Sequence, residues 1–256
     1  MKKADYSKIA EYYDSGRASS GPIIELWTGF IAKYINTGRV TRLLDIGCGT
    51  GRFTLPIAKQ FNCRVTGADT SLEMLAKAKD KDRERIIQWD IQDIHGMTYN
   101  DESFDVIFMS NVIHHCDMPL KALCECYRVL ADNGVIMIRY GAIEQISKDV
   151  THMCFPETLA LDEERTPSVV QMEKRMIEAG FASVKTEEVQ QKTFRTGEAL
   201  IEAHALKNTS VLSMISDDAY VTGMERLRKF VGQHSKDQWF LDDRFSLTTG
   251  YKVNVK

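Results

Sequence analysis

The chain has 256 residues, 43% of them hydrophobic, which is enough for one large domain, or a domain with an added lobe, that folds unaided. A formal net charge of −3 carries no overall bias toward polyphosphate, so nucleic acid is a disfavoured partner. No segment approaches the roughly 18 consecutive apolar residues of a membrane span, no stretch resembles a signal peptide, and six irregularly spaced cysteines suit a reducing compartment, so a soluble, cytoplasmic chain without membrane contact is expected.

Residues 1–38 read as helical, with tyrosines near the start that would let them lie over the mouth of a sheet. From about Val40 to Tyr140 short apolar runs alternate with helix-period stretches, the pattern of βα units and a mostly parallel sheet. Strands are expected at Arg42–Ile46, Arg64–Ala68, Arg85–Trp89, Phe104–Met109 and Val135–Tyr140. Between them, SLEMLAKAK reads as a helix with Leu72, Leu75 and Ala76 on one face and Thr70 with Glu73 as a capping box. PLKALCECYRVL reads as another, with Pro119 in its first turn and Leu120, Leu123, Tyr127 and Leu130 as its stripe, after which Asp132-Asn133-Gly134 turns the chain back. Further on, residues 169–180 suit a helix ended by Gly180, Phe181–Val189 a strand, 197–235 mainly helix, and Phe245–Val255 a last strand.

The chemistry concentrates in LLDIGCGTG, Leu43–Gly51. Its glycines, Gly47, Gly49 and Gly51, miss the dinucleotide pattern because Arg52 takes the third position, and no Gly-Lys-Ser/Thr follows to make a phosphate loop. Glycine nonetheless permits positive φ and close approach of a ligand to the main chain, and the helix that follows offers unpaired N–H groups. Two more acids stand where strands end. Asp69 closes CRVTGAD, about twenty residues after the loop, where a carboxylate accepts from ribose hydroxyls, and Asp90 closes RIIQWD. Ligands of an open parallel sheet bind outside the carboxyl ends of its strands, so Asp45, the loop, Asp69 and Asp90 converge on one crevice.

LLDIGCGTGRFTLPIAK, VTGADTSLEMLAKAK, WDIQDI, FDVIFMSNVIHH and ALCECYRVLADNGVIMI together resemble the class I S-adenosylmethionine-dependent methyltransferases over about residues 40–140. The resemblance implies an α/β, doubly wound, Rossmann-like sheet of seven mostly parallel strands with the last antiparallel, and S-adenosyl-L-methionine as cofactor. It also implies roles. Gly47, Cys48 and Gly49 would pass close to the methionine and ribose portions, and Asp45 would orient the loop or the ammonium. Asp69, beside Thr70, would take the ribose hydroxyls, Asp90 with the backbone of Ile91 would read the adenine edge, Met74 would pack near adenine, and Ser110 and Asn111 would flank the methionine. EYYDSGR resembles the lid of small-molecule members, with Tyr12 or Tyr13 near the sulfonium and Arg17 on the methionine carboxylate. The implied organisation is a lid at 1–38, a core at 39–195 and 241–256, and a helical cap at 196–240, with 141–168 also facing substrate.

Methyl transfer from a sulfonium calls mainly for alignment, with a general base only where the nucleophile must lose a proton. His114 and His115 follow the fourth strand, and His115 is the favoured base. A metal reading of HHCD is disfavoured because adjacent ligands point apart and paired C-x-x-C knuckles are lacking. The expected function is methylation of a small-molecule acceptor, with adaptable methionines beside Tyr140, His152 and His204 suiting a partly apolar ligand that carries a few polar handles. The alternatives are a tRNA or protein methyltransferase and a non-catalytic binder of the same cofactor; acceptor atom and oligomeric state are open.

Overall fold

The apolar runs of the first half become the strands of a seven-stranded sheet in a computed structural model that describes residues 21–35, 40–207 and 209–253. Strands β1 (Thr41–Ile46), β2 (Cys63–Asp69), β3 (Gln88–Ile91), β4 (Phe104–Ser110) and β5 (Leu130–Tyr140) run parallel in the spatial order β3-β2-β1-β4-β5. Strand β6 (Ala182–Lys192) lies at the far edge, and β7 (Asp242–Tyr251) inserts between it and β5, antiparallel to both. Strand order reverses between β1 and β4, which opens a crevice at their carboxyl ends.

Ten α-helices accompany the sheet among the described residues. They are α1 (Gly21–Ala32), α2 (Thr54–Gln60), α3 (Leu72–Lys81), α4 (Pro119–Val129), α5 (Ile143–Ile146), α6 (Val150–Cys154), α7 (Glu157–Arg165), α8 (Val169–Glu178), α9 (Gly197–Ala205) and α10 (Asp217–Gln233). The two-residue period of the strands sorts the core into layers. Leu44, Ile46, Ile107, Met109, Ile136 and Ile138 meet Leu123 and Cys126 of α4 and Met172 and Met176 of α8. Leu43, Val106, Phe108, Val135 and Met137 meet Ile23, Trp27 and Ile31 of α1 and Ile57 of α2.

Several local expectations shift. The cap of α3 is Ser71, whose Oγ accepts from Met74 N–H at 3.2 Å, and the helix buries Met74, Leu75 and Ala78 while Leu72 is 62% exposed. In α4 the buried stripe is Ala122, Leu123, Cys126 and Val129, so the phase is offset and Leu120 faces out. β3 starts three residues later than expected because Asp82 intercepts the chain: its carboxylate accepts from the N–H groups of Ile86 and Ile87 and from the Trp89 indole, and Arg85 turns at φ 53°. Helix α8 follows its sequence closely. Ser168 and Gln171 cap each other reciprocally, and Gly180, at φ 104°, ends the turn with Phe181 N–H returning to Met176 O.

Apart from Val211, which lines a cavity described below, the buried apolar residues of the 196–240 segment pack against one another and their neighbours. Leu200, Leu212, Met224, Leu227 and Val231 pack with Val150, Cys154, Phe155, Phe194, Phe240 and Leu241 into a third core of their own, so their burial is internal to the cap. No helix of the described residues is long and apolar enough to cross a membrane.

Candidate active site

At the end of β1 the chain passes through Gly47, Gly49 and Gly51, all at positive φ (71°, 54° and 74°). A Cβ at Gly47 would stand 2.2 Å from the Val112 side chain, so conformation and space both demand glycine there. Gly47 and Cys48 donate their N–H groups to the Ala68 carbonyl at 2.7 and 3.0 Å, and Gly49 donates to the Asp69 carboxylate at 2.8 Å, which ties the loop to the end of β2. The second Asp69 oxygen accepts from Ser71 N–H at 2.9 Å. A carboxylate offers about four lone-pair sites, so Asp69 keeps acceptor capacity after organising the loop.

Asp45 sits beneath the loop, 3% exposed, and accepts the Thr54 hydroxyl at 2.6 Å. Burial above all, with the Asp69 charge adding and the Thr54 hydrogen bond opposing, pushes its carboxyl up to about 7. Cys48 is buried beside it, and burial raises its thiol well above the ordinary value. Neither contributes to the crevice wall, so both act on the loop from below.

The crevice measures about 870 Å³, and its wall brings together Gly47, Gly49, Asp69, Thr70, Met74, Ser110, Asn111 and His115. Asp90 and Ile91 lie outside it: Asp90 accepts from Tyr99 OH at 2.9 Å and Gln88 Nε2 at 2.8 Å, and the Ile91 side chain is 57% exposed. The corresponding wall is built one turn later, from Gln92 to Gly96. Gln92 clasps Thr98 through both ends of its amide, and Asp93 accepts the backbone N–H and ring Nδ1 of His95, bonds that hold its carboxyl below the usual range. WDIQDIHG contains both acids: Asp90 lies in β3 one residue before its end, and Asp93, just past the strand, borders the crevice.

A second cavity, about 190 Å³, opens beyond β4 and β5. Its wall includes Arg52, Asn111, His114, Arg139, Asp149, His152, Asp162, Arg165, Gln191, His204, Ser210 and Asp243. Among the described residues, Asn111 is common to both linings. It turns there at φ 57°, with its N–H donated to Arg139 O at 2.8 Å. The adjacent histidines divide: His115 faces the first cavity and His114 the second, with ring centroids 4.0 Å apart.

The lining of this second cavity joins apolar surface, Ile146, Phe194, Val211 and Phe245 included, to a dense set of polar and charged groups. Arg139 is 1% exposed, donates to Ser110 Oγ (3.2 Å) and Gln191 Oε1 (3.0 Å), and lies over the rings of Phe245 (3.6 Å) and Trp27 (4.6 Å). Trp27 Nε1 donates to the same Gln191 oxygen at 2.7 Å. Asp162 pairs with Arg165 at 2.7 Å and stands 3.4 Å from His152 Nε2. Burial pushes Asp149 up to about 8, with Asp243 and Asp162 adding and Arg244 opposing, and burial likewise raises Asp243, whose carboxylate accepts the Thr193 hydroxyl. His204 donates Nδ1–H to Leu200 O, so its Nε2 accepts from Thr151, and burial lowers it to about 4. It is neutral and serves the cap. Tyr140 does not reach the cavity; its hydroxyl accepts from Thr248. Tyr13 and Arg17 lie outside the described residues.

Sequence patterning had no signal for Arg139, Gln191 or Trp27, which come from β5, β6 and α1 and meet only in the fold. Among the described residues no group of three or more His, Cys, Asp or Glu side chains is arranged to hold a metal ion.

A family model described as a methyltransferase domain matches residues 44–138. A ubiquinone/menaquinone biosynthesis C-methyltransferase of Bdellovibrio bacteriovorus is 35% identical over 137 residues, 52% of this chain and 58% of that protein. Its counterpart from Geobacter sp. strain M21 is 31% identical over 166 residues, 61% of this chain and 71% of its own length. The chain therefore spans somewhat over half the length of the Bdellovibrio relative. A solved Haemonchus contortus phosphoethanolamine N-methyltransferase in complex with S-adenosyl-L-methionine superposes with a TM-score of 0.61 over 96% of this chain and 60% of that one. At 20% identity that likeness speaks to the fold.

Proposed function

The chain belongs to the class I S-adenosylmethionine-dependent methyltransferases, and from that premise we propose that it methylates a small molecule seated in the second cavity. The observation that supports this reading is that Asn111 lines both cavities, so an acceptor held in the second would lie on the far side of that residue from the cofactor crevice.

The residues present fit the cofactor. Gly47 leaves room that a Cβ would fill, Asp69 has acceptor sites for a ribose diol, Met74 and the Gln92–Gly96 turn flank the space for a base, and Ser110 and Asn111 border the methionine end. When bound, S-adenosylmethionine supplies a methyl group on a sulfonium whose thioether leaves without further activation. The chain's own task is to hold a nucleophile about 3–3.5 Å from that carbon, in line and free of water. His114, on the acceptor side, is better placed than His115 to take a proton from a hydroxyl or carbon acid. Residues 141–168 and 196–240 supply Asp149, His152 and Asp162, and His204, Ser210 and Val211, to the second cavity, which supports their assignment as the substrate-facing cap.

Incubation with methyl-labelled cofactor and fractionated cell extract tests the reading. Label is expected in low-mass metabolites. Label confined to RNA or protein, or cofactor binding without transfer in any fraction, would refute it.

A further inference from the structure

Resting on the first cavity as the cofactor crevice, we propose that Ser110 turns its hydroxyl hydrogen into that crevice to donate to the α-carboxylate of the cofactor, and that Arg139 is the positioning residue that sets this polarity.

The direction of each hydrogen bond around Arg139 follows from groups that can only donate. A guanidinium has no acceptor, so in its 3.2 Å contact with Nη1 the Ser110 oxygen must accept, and the Ser110 hydrogen is left to point elsewhere. The Gln191 amide is fixed in the same way. Its Oε1 accepts from Arg139 Nη2 at 3.0 Å and from the Trp27 indole at 2.7 Å, both obligate donors, which leaves Nε2 to donate to Thr193 at 2.9 Å. Thr193 in turn donates to Asp243 at 2.5 Å, and the Asp243 carboxylate faces the Arg139 charge. Guanidinium, amide, hydroxyl and acid thus form a closed circuit, buttressed by the rings of Phe245 and Trp27, and its members line the second cavity and not the crevice.

Ser110 is the side chain through which this circuit reaches the cofactor crevice, which it borders. Among the described residues its hydroxyl makes no other hydrogen bond. The main chain is held from the same residue, since Asn111 donates its N–H to Arg139 O at 2.8 Å and so fixes the turn just past Ser110. A hydroxyl whose oxygen already faces a cation is polarised into a stronger donor. Of the two charged groups at the methionine end of the cofactor, the carboxylate can only accept, whereas the ammonium would bring a second cation to an oxygen already held by a guanidinium. The polarity imposed at Ser110 therefore selects the carboxylate.

The test is calorimetry on the full chain with S-adenosylhomocysteine and its decarboxylated analogue, which keeps the amine and lacks the carboxylate. The wild type is expected to bind S-adenosylhomocysteine about tenfold or more tightly than the analogue. Ser110→Ala should cut that preference by about fivefold or more while the analogue's affinity stays within about threefold, and Ser110→Thr, which keeps the hydroxyl, should retain it. Arg139→Gln and, more mildly, Gln191→Leu should lower the preference too, but neither should lower it further in the Ser110→Ala background, because both act through that hydroxyl. Equal weakening of both ligands by Ser110→Ala, a preference that survives it, or a further drop from either other change once Ser110 is alanine would overturn the proposal. The Ser110 and Gln191 variants decide the matter even where Arg139→Gln does not fold. Failure of S-adenosylhomocysteine to bind the wild type would overturn the cofactor reading and the proposal together, whereas binding without preference for the carboxylate would overturn the proposal alone.

Discussion

Replacing Asp45 by asparagine separates the cost of a buried carboxylate from the architecture of the loop above it. In the folded chain this carboxyl titrates near 7 rather than near 3.8, and burial is the principal cause. Between those values the folded state keeps a proton that the unfolded chain has released, so stability falls as pH rises and the loss is complete above about 7. A shift from 3.8 to about 7, at about 1.4 kcal/mol per pH unit, bounds the effect at about 4 kcal/mol. Relaxation and water entry around a buried charge reduce this, and a measured change of about 1–3 kcal/mol is expected. Asparagine does not titrate, and its carbonyl can still accept the Thr54 hydroxyl that now lies 2.6 Å from Asp45. Urea unfolding of both proteins without cofactor, at pH 5 and pH 8, gives the comparison. The wild type should lose about 1–3 kcal/mol relative to Asp45→Asn over that interval. Other titrating acids, Asp149 among them, are common to both proteins and largely cancel in the difference. Parallel stability curves would refute the argument, because they would mean that Asp45 is ionised in the folded chain without penalty.

Asp69→Ala should weaken S-adenosylhomocysteine binding by about 1.5–3 kcal/mol by calorimetry, through lost charge-assisted hydrogen bonds, and should also lower the melting temperature because Gly49 and Ser71 lose their acceptor. Gly47→Ala should abolish detectable cofactor binding, and adding Val112→Ala should recover only the steric part of the loss, since φ stays at 71°. Once an acceptor is in hand, His114→Ala should lower kcat with cofactor affinity changed by less than about threefold, or roughly 0.6 kcal/mol, whereas His115→Ala should act mainly on cofactor affinity. The reverse pattern in steady-state kinetics would return the base assignment to His115.

The central sheet was readable because each of its strands carries its own evidence. Leu43–Ile46, Val65–Ala68 and Val106–Met109 are buried on both faces, and such strands appear in a sequence as nearly continuous apolar runs. The glycine loop and Asp69 were readable for a related reason: backbone conformation and strand-end position are local properties. Asp90 illustrates the limit. It stands near the end of β3 as its apolar run implied, but its carboxylate is engaged by Tyr99 and Gln88, and Asp93, three residues on, is the acid that borders the crevice. In the cap the sequence was readable only as a demand for burial. Leu212, Met224 and Leu227 demand burial, yet hydrophobicity does not say against what, and they found partners in Val150, Phe155 and Phe194 instead of a ligand. Arg139 was invisible because its meaning lies in rings and an amide 52 or more residues away.

Asn111, as the shared wall, divides the molecule's heritable risk unevenly. The loop, β2 end and β4 end that shape one chamber are drawn from the stretch before residue 122, whereas most of the other chamber comes from after residue 138. On the proposed reading, substitutions in the later part would reshape what enters the second chamber without disturbing the first, so a lineage could try new acceptors while the donor site stays intact. Among the described residues, Asn111 alone lines both chambers, so a change there would have to suit both, and its left-handed backbone, tolerated by few residues besides glycine and asparagine, narrows the choices further.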